Sequence, residues 1–142
     1  MKLQYTFWPS EYGAIPFPIV DLTLKNLASQ KEFVNYKVLV DSGATSCVFH
    51  AGIGELIGLN IKLGEERPLR GVIAKAGKQY IHEIIMRIEN QWDVKAKVGF
   101  SYDLRFPFGL LGQQEFFDLF RICFDLSKKT FEITPKLWAF QG

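Results

Sequence analysis

An acidic residue followed by three small residues is the feature of this sequence best suited to chemistry. Asp41 follows the strand-like run YKVLV (36–40) and precedes Ser42, Gly43 and Ala44. A carboxylate at such a point can act as a general acid or base if its surroundings hold it rigid yet accessible. The serine and the glycine permit a sharp turn that presents the acid on a loop. On its own, Asp-Ser-Gly equally predicts an ordinary β-turn without a catalytic role.

The cysteines and histidines offer no comparable site. Cys47 and His50 have the spacing C-x-x-H, and the sequence contains only His82 and Cys123 besides. A tetrahedral zinc site needs a second closely spaced pair, so we expect neither a metal nor another cofactor. We expect both thiols to be reduced and buried, because a chain with an adequate core and no export signal rarely needs a disulfide.

Composition narrows the class of protein. The 142 residues suffice for one domain, nearly half of them are apolar, and the net charge is +2, so we expect a folded globular chain. The basic residues that could form a nucleic-acid-binding face alternate with glutamates: Lys62, Arg67, Arg70, Lys75 and Lys78 among Glu55, Glu65, Glu66 and Glu83. The N-terminus shows neither a secretion signal nor a spanning apolar run. We therefore expect a soluble, cytoplasmic protein that binds neither nucleic acid nor membrane.

The hydrophobic pattern predicts an all-β chain, because apolar and polar residues alternate and long helical periods are absent. Strands are predicted at residues 3–7, 18–24, 32–40, 46–49, 69–74, 79–88, 94–98, 120–125 and 130–134. Short helices are predicted at 53–57 and 113–119, the second packing Phe116, Phe117 and Phe120 on the sheet. Hairpin turns are predicted at 25–29, 74–78, 89–93 and 126–129. Residues 8–18 are expected to be extended coil, because their prolines remove ladder donors.

Two motifs, in this order, resemble those of the retropepsin-like aspartic proteases. In that family a strand delivers Asp-Thr/Ser-Gly-Ala, and a later element of two hydrophobic residues and a glycine passes behind that loop. Asp41-Ser42-Gly43-Ala44 matches the first motif, and Leu110-Leu111-Gly112 matches the second. The resemblance covers about residues 18–134.

The resemblance implies a single-lobe, closed β-barrel of the retropepsin type. Residues 1–142 would form one domain, with a core at about 18–134 and an extension at each end. A flap hairpin would cover the site, and residues 69–84 are the candidate; the alternative is an ordinary exposed hairpin. The flap candidates near its tip are Ile73, Ala74, Lys75, Ala76 and Gly77.

The chemistry of this family implies a second copy of the chain. Aspartic proteolysis uses two carboxylates that share one proton, and this sequence has a single Asp-Ser-Gly loop. The resemblance therefore implies a homodimer in which two Asp41 side chains activate a water that attacks a peptide or protein substrate. Ser42 would bond across the interface or within its own turn, and Gly43 would let the substrate backbone approach. Thr45 and Ser46 replace acidic residues of viral members, which is closer to the cellular and prokaryotic pattern.

A second interpretation belongs to a different class of function. The same β fold could serve as a non-catalytic dimerisation or peptide-binding module in which Asp41 forms no working pair. The intact Asp41-Ser42-Gly43-Ala44 motif favours catalysis, because a module without catalysis could lose the acid freely.

Overall fold

The computed structural model describes residues 1–70 and 76–140, and in this part of the chain β-strands predominate. The strands are β1 Lys2–Gln4, β2 Thr6–Ser10, β3 Gly13–Phe17, β4 Ile19–Lys25, β5 Glu32–Val40, β6 Val48–His50, β7 Glu65–Leu69, β8 Gly77–Ile88, β9 Trp92–Ser101, β10 Gly109–Leu111, β11 Phe120–Asp125 and β12 Thr130–Pro135. One α-helix, α1, covers Ala51–Leu56, and short 3-10 turns cover Ile61–Leu63 and Leu137–Ala139. The predicted all-β class is confirmed.

Six of the strands close into a barrel. Their order is β4-β5-β10-β6-β9-β8, and β8 pairs with β4 again, from Leu22 opposite Ile88 to Lys25 opposite Ile85. β7 extends the sheet beyond β8 as an edge strand. Closure gives each barrel strand a partner on both sides, which removes open edges. The predicted closed barrel is confirmed.

Alternation of side chains determines which face of each strand enters the barrel. Along β9, Val94, Ala96 and Val98 are buried while Lys95 and Lys97 are exposed. β8 contributes buried side chains at the same period from Ile84, Met86 and Ile88. Successive side chains of a strand point to opposite faces, so this pattern forces one face inward.

A separate three-stranded sheet, in the order β1-β12-β11, packs against the barrel core. Phe120, Phe131 and Ile133 from this sheet belong to the same apolar cluster as the barrel interior. β1 pairs antiparallel with β12, and the N-terminal ammonium of Met1 donates to Ile133 O at 2.9 Å. The segments near both ends of the chain are therefore paired with each other within a single chain.

The coil expected at residues 8–18 is wrong, because this segment forms a hairpin of β2 and β3. Pro9 lies opposite Ala14 and Pro16 lies opposite Phe7, and these two pairs are separated by one other pair along the ribbon, so they are of the same type. Hydrogen-bonded and non-bonded pairs alternate in an antiparallel ribbon, so both prolines can direct their nitrogens away from the partner strand. The strand predicted at 3–7 is accordingly split between β1 and β2.

Of the strand predicted at 69–74, only residues 69 and 70 are described, and Leu69 is the last residue of β7. β7 runs over Glu65–Leu69 and pairs with the start of β8, while residues 71–75 lie outside the described residues. The sequence of β7, EERPL, is charged and contains a proline, which suits an edge strand but gives no alternation to detect.

The turn predicted at 89–93 is confirmed. Glu89 and Asn90 both have positive φ angles, 50° and 56°, and they connect β8 to β9. Two consecutive positive φ values are typical of the tight hairpin turn whose twist matches its strands. The turn at 126–129 likewise connects β11 to β12. Among the described residues, no helix is long and apolar enough to cross a membrane.

The two cysteines are free thiols in different surroundings, so the expectation that both are buried is wrong for Cys123. Cys47 is buried and Cys123 is exposed. Phe120 and Ile122 of β11 pack toward the core, and the alternation of side chains along a strand places Cys123 on the opposite face. Burial raises the pKa of the Cys47 thiol to about 12, which keeps it protonated at neutral pH.

These surroundings predict a single reactive thiol in the folded protein. A thiol reagent at neutral pH should modify Cys123 rapidly and Cys47 only after unfolding, because the reactive form is the thiolate. Titration with a chromogenic disulfide before and after denaturant measures this difference. Cys123→Ser should remove the native reaction, and a native reaction that persists in this variant would show that Cys47 is accessible.

Candidate active site

Asp41 stands at the end of β5, where the short strand β10 lies beside it. β10 pairs parallel with β5, with Leu110 opposite Leu39 and Leu111 opposite Val40. The pairing continues into the next residue, since Asp41 N–H donates to Leu111 O at 2.9 Å. The two motifs identified in the sequence are therefore in direct hydrogen-bonding contact.

Residues 41–45, which we call the Asp41 loop, turn sharply after the strand. Ala44 N–H donates to Asp41 O at 3.1 Å, and Gly43 N–H donates to the carboxylate atom Asp41 Oδ1 at 2.9 Å. The β-turn predicted from Asp-Ser-Gly is thus present. Asp41 is half-buried while Ser42 and Gly43 are exposed, so the carboxylate is held by an amide yet remains reachable.

The chain that follows β10 holds the loop from behind. Gln113 N–H donates to Ala44 O at 2.9 Å, and Gln114 N–H donates to Thr45 O at 3.0 Å. A Cβ atom on Gly112 would lie only 2.4 Å from Ser46 O and 2.7 Å from Ala44 O. Only glycine permits the backbone to approach this closely.

The helix predicted at 113–119 is wrong as a regular helix. Residues Gln113–Phe117 form a wide turn in which Phe117 N–H reaches Gly112 O and Asp118 N–H reaches Gln113 O. Inside it, Gln114 is extended and Glu115 has a φ of 73°. The bonds to the Asp41 loop keep this segment beside the loop, although Phe116 is buried in the core as the aromatic spacing predicted.

A tyrosine–histidine pair fixes the segment that enters β10. Tyr36 Oη lies 2.7 Å from His50 Nδ1, and His50 Nε2 lies 2.6 Å from Phe106 O. Because a carbonyl can only accept, Nε2 carries the proton and Nδ1 accepts from the tyrosine hydroxyl. A Cβ on Gly109 would lie 2.7 Å from the same Tyr36 Oη. β5, β6 and β10 are therefore packed tightly around one hydroxyl group.

Two ionisable groups packed behind the loop, Tyr36 and Cys47, are held neutral by burial. Burial raises the pKa of the Tyr36 hydroxyl far above its usual range. The Cys47 thiol, also held neutral by burial, lies 3.4 Å from Gln114 O. Partial burial and the nearby Asp118 raise the pKa of Glu115. Desolvation disfavours a charged form, so the Asp41 carboxylate faces no fixed cation or thiolate from Tyr36 or Cys47.

Two apolar clusters meet at the strands that carry Asp41. Val38 and Val40 belong to the barrel interior, whereas Leu39 and Leu110 belong to a second cluster on the outer face. The N-terminal hairpin covers this second cluster, where the Trp8 and Phe108 rings have centroids 4.8 Å apart. Asp41 is thus delivered by a strand that is packed on both faces, which restricts its movement.

Only part of the flap candidate can be compared with the prediction. Ile73, Ala74 and Lys75 lie outside the described residues, while Ala76 is exposed and Gly77 begins β8 opposite Leu69.

Lys78, beside the tip of this hairpin, is tied to the end of β9 and to the residues that follow it. Lys78 N–H donates to Asp103 Oδ2 at 2.9 Å, and Ser101 Oγ donates to Lys78 O at 2.5 Å. Both main-chain groups of Lys78 are thus held by side chains from outside the hairpin.

Sequence reasoning missed one side chain at the loop. Gln113 Nε2 donates to Ser42 O at 2.9 Å, across 71 positions of sequence. Neither the Ser42 nor the Thr45 hydroxyl takes part in the bonds that the loop makes with the described residues. The local turn bond considered for Ser42 is therefore not formed. The position of Gln113 directly after Leu-Leu-Gly is the one signal of this contact in the sequence, whereas the helical spacing of the phenylalanines predicts only a helix there.

Comparison with known proteins gives matches among solved structures. No protein-family model and no curated protein matches this chain. Among solved structures, the chain is similar to the EIAV protease complexed with the inhibitor HBY-793. The identity is 15%, the TM-score is 0.42, and the match covers 68% of this chain and 82% of that chain.

The close contact at Gly112 predicts that Gly112→Ala destabilises the protein. The added methyl group would meet main-chain carbonyls, which cannot rotate away as a flexible side chain could. Overpacking of this kind costs about 1–3 kcal/mol of the free energy of unfolding, measurable by denaturant titration.

Gly52→Ala is the matched control. A Cβ on Gly52 meets nothing within 4 Å, and the residue lies in α1, so alanine should be neutral or stabilise by about 0.5–1 kcal/mol. Equal stability of the wild type and Gly112→Ala would contradict the packing described here.

Proposed function

We propose that this chain is one protomer of a homodimeric aspartic endopeptidase and that Asp41 is its catalytic residue. The observation that carries the proposal is the Asp41 loop itself. Its carboxylate is anchored at Oδ1 by the Gly43 amide, and its backbone is bonded to Leu111 and to the turn after Gly112. A carboxylate that is rigid at one oxygen and reachable at the other suits proton transfer to and from a water.

The chemistry supplies the argument for two chains. Two carboxylates about 3 Å apart cannot both ionise, so the pair holds one proton and contains an acid and a base together. This sequence provides one such loop, so the second carboxylate comes from another copy. A two-fold axis beside Ser42 and Gly43 would bring the same loop of each chain together, as in isologous dimers.

The proposed reaction proceeds through a water between the two Asp41 side chains. The ionised carboxylate takes a proton from the water while the oxygen of that water attacks the peptide carbonyl carbon. The protonated carboxylate donates its proton to the carbonyl oxygen, which gives a tetrahedral diol. On collapse, the carboxyl that took the proton from water passes it to the nitrogen, the C–N bond breaks, and the other carboxylate takes a proton back from a hydroxyl of the diol. No covalent bond to the enzyme forms.

A peptide substrate would lie extended between the Asp41 pair and the hairpin of β7 and β8. Main-chain hydrogen bonds to such a strand give binding that depends little on side chains. The hairpin would close over the peptide and exclude bulk water, which strengthens electrostatic interactions in the site.

Asp41→Asn is the first test of this function. The variant should lose cleavage of a mixed peptide library at every pH from acidic to neutral, because an amide neither accepts the proton nor donates it as required. Asp93→Asn, which removes an exposed carboxylate paired with Arg87, is the control and should cleave like the wild type. If the wild type cleaves nothing, or if Asp41→Asn cleaves equally, the protease proposal fails, and the peptide-binding module takes its place only if peptide binding is observed.

Mixing the two chains tests whether the site is shared. At concentrations where dimers predominate, an equal amount of Asp41→Asn should reduce the activity per wild-type chain to about half, and a ninefold excess to about a tenth, by mass action. The Asp93→Asn chain should cause no such loss. Wild-type activity that is unaffected by excess Asp41→Asn would contradict a site built from two chains.

A further inference from the structure

Gln113 is attached to the Asp41 loop at two points. Its main-chain N–H donates to Ala44 O at 2.9 Å, and its side-chain Nε2 donates to Ser42 O at the same distance. Because the Ser42 oxygen is a carbonyl and can only accept, the amide nitrogen of Gln113 must be the atom that faces it. The first bond fixes where the side chain starts, and the second fixes where it ends.

The accepting carbonyl and the amide that binds Asp41 belong to one peptide unit. Ser42 C=O and Gly43 N–H lie on opposite sides of the planar Ser42–Gly43 peptide, and Gly43 N–H donates to Asp41 Oδ1 at 2.9 Å. The peptide group is rigid, so holding its oxygen sets the direction of its N–H. A hydrogen bond accepted by the carbonyl also polarises the amide and strengthens the bond that it donates.

We propose that Gln113 is a positioning residue that aims the Gly43 amide at the Asp41 carboxylate through the Ser42 carbonyl. The effect of Gln113 on catalysis rests on the proposed protease function, whereas the effect of Gln113 on the Gly43 amide does not. Without the Gln113 amide, the Ser42–Gly43 peptide can rotate about its flanking bonds, and the carboxylate loses its fixed orientation.

The exposure of Gln113 determines how strongly water competes with its hydrogen bond to Ser42 O. Gln113, Ser42 and Gly43 are all exposed in the single chain, so water competes for the Ser42 carbonyl. A partner loop placed against this face would exclude that water and strengthen the bond. The kinetic effect should therefore appear in turnover by the assembled enzyme.

The bent turn after Gly112 keeps the residue after Gln113 against the Asp41 loop as well. Gln114 is extended, with φ −74° and ψ 135°, and its N–H donates to Thr45 O at 3.0 Å. A regular helix beginning at Gln113 would rotate the following residues away from the loop. The irregular backbone and the Gln113 contact are thus parts of one arrangement.

The test replaces Gln113 with Leu, which keeps a similar length but cannot donate, and with Glu, which keeps the shape. Gln114→Leu is the control, because it removes a neighbouring exposed amide whose side chain makes no hydrogen bond to the described residues. The first readout is the Gly43 amide in nitrogen-labelled protein. In both Gln113 variants its proton resonance should move upfield and its hydrogen exchange should accelerate about three- to tenfold, while Gln114→Leu should leave both unchanged.

The second readout separates positioning from substrate binding. Gln113→Leu should lower kcat about tenfold with KM unchanged, since the misplaced carboxylate acts in the reaction rather than in binding. The proposal would be overturned if the Gly43 amide were unchanged in Gln113→Leu. It would also be overturned if Gln114→Leu shifted the Gly43 amide in the same way, or if Gln113→Leu changed the Gly43 amide but left kcat normal. A wild type that cleaves no peptide would refute the proposed function alone, because the Gly43 measurement needs no activity.

Discussion

The pairing of β10 with β5, continued past both strands into the loops that follow, is the constraint on which the candidate site depends. Asp41 bonds to Leu111, and Gln113 and Gln114 bond to Ala44 and Thr45. These bonds join segments far apart in sequence, so the closing of the barrel also forms the loop. Gly112 permits the approach because any side chain there would meet the carbonyls of Ala44 and Ser46.

The same strand pair separates the two apolar clusters of the protein. Val38 and Val40 pack inside the barrel, and Leu39 and Leu110 pack outside it beneath the N-terminal hairpin. A strand buried on both faces cannot shift its register without moving apolar side chains into water. The position of Asp41 is thus a consequence of core packing, and the neutral Tyr36 and Cys47 behind it add no competing charge.

Regular alternation made much of the barrel predictable. β8 and β9 show it clearly, and the resemblance of the two motifs to those of a known family implied that Leu110-Leu111-Gly112 would lie behind Asp41. The errors have identifiable causes. The prolines of β2 and β3 sit at pairs that do not need their donors, and the charged sequence of β7 belongs to an edge strand. The spacing of Phe116, Phe117 and Phe120 mimics a helix, but bonds to a distant loop override that preference. The role of Gln113 depends on a contact 71 positions away, which local sequence patterns do not reveal.

The proposed protease activity requires that Asp41 of one chain meets Asp41 of another. The most direct measurement is the specific activity on a peptide substrate over a wide range of protein concentration, with the dimer fraction measured by sedimentation in the same buffer. For a site shared by two chains, specific activity should fall on dilution in proportion to the dimer fraction, because two half-sites must associate. Constant specific activity at concentrations where sedimentation shows only monomer would contradict it.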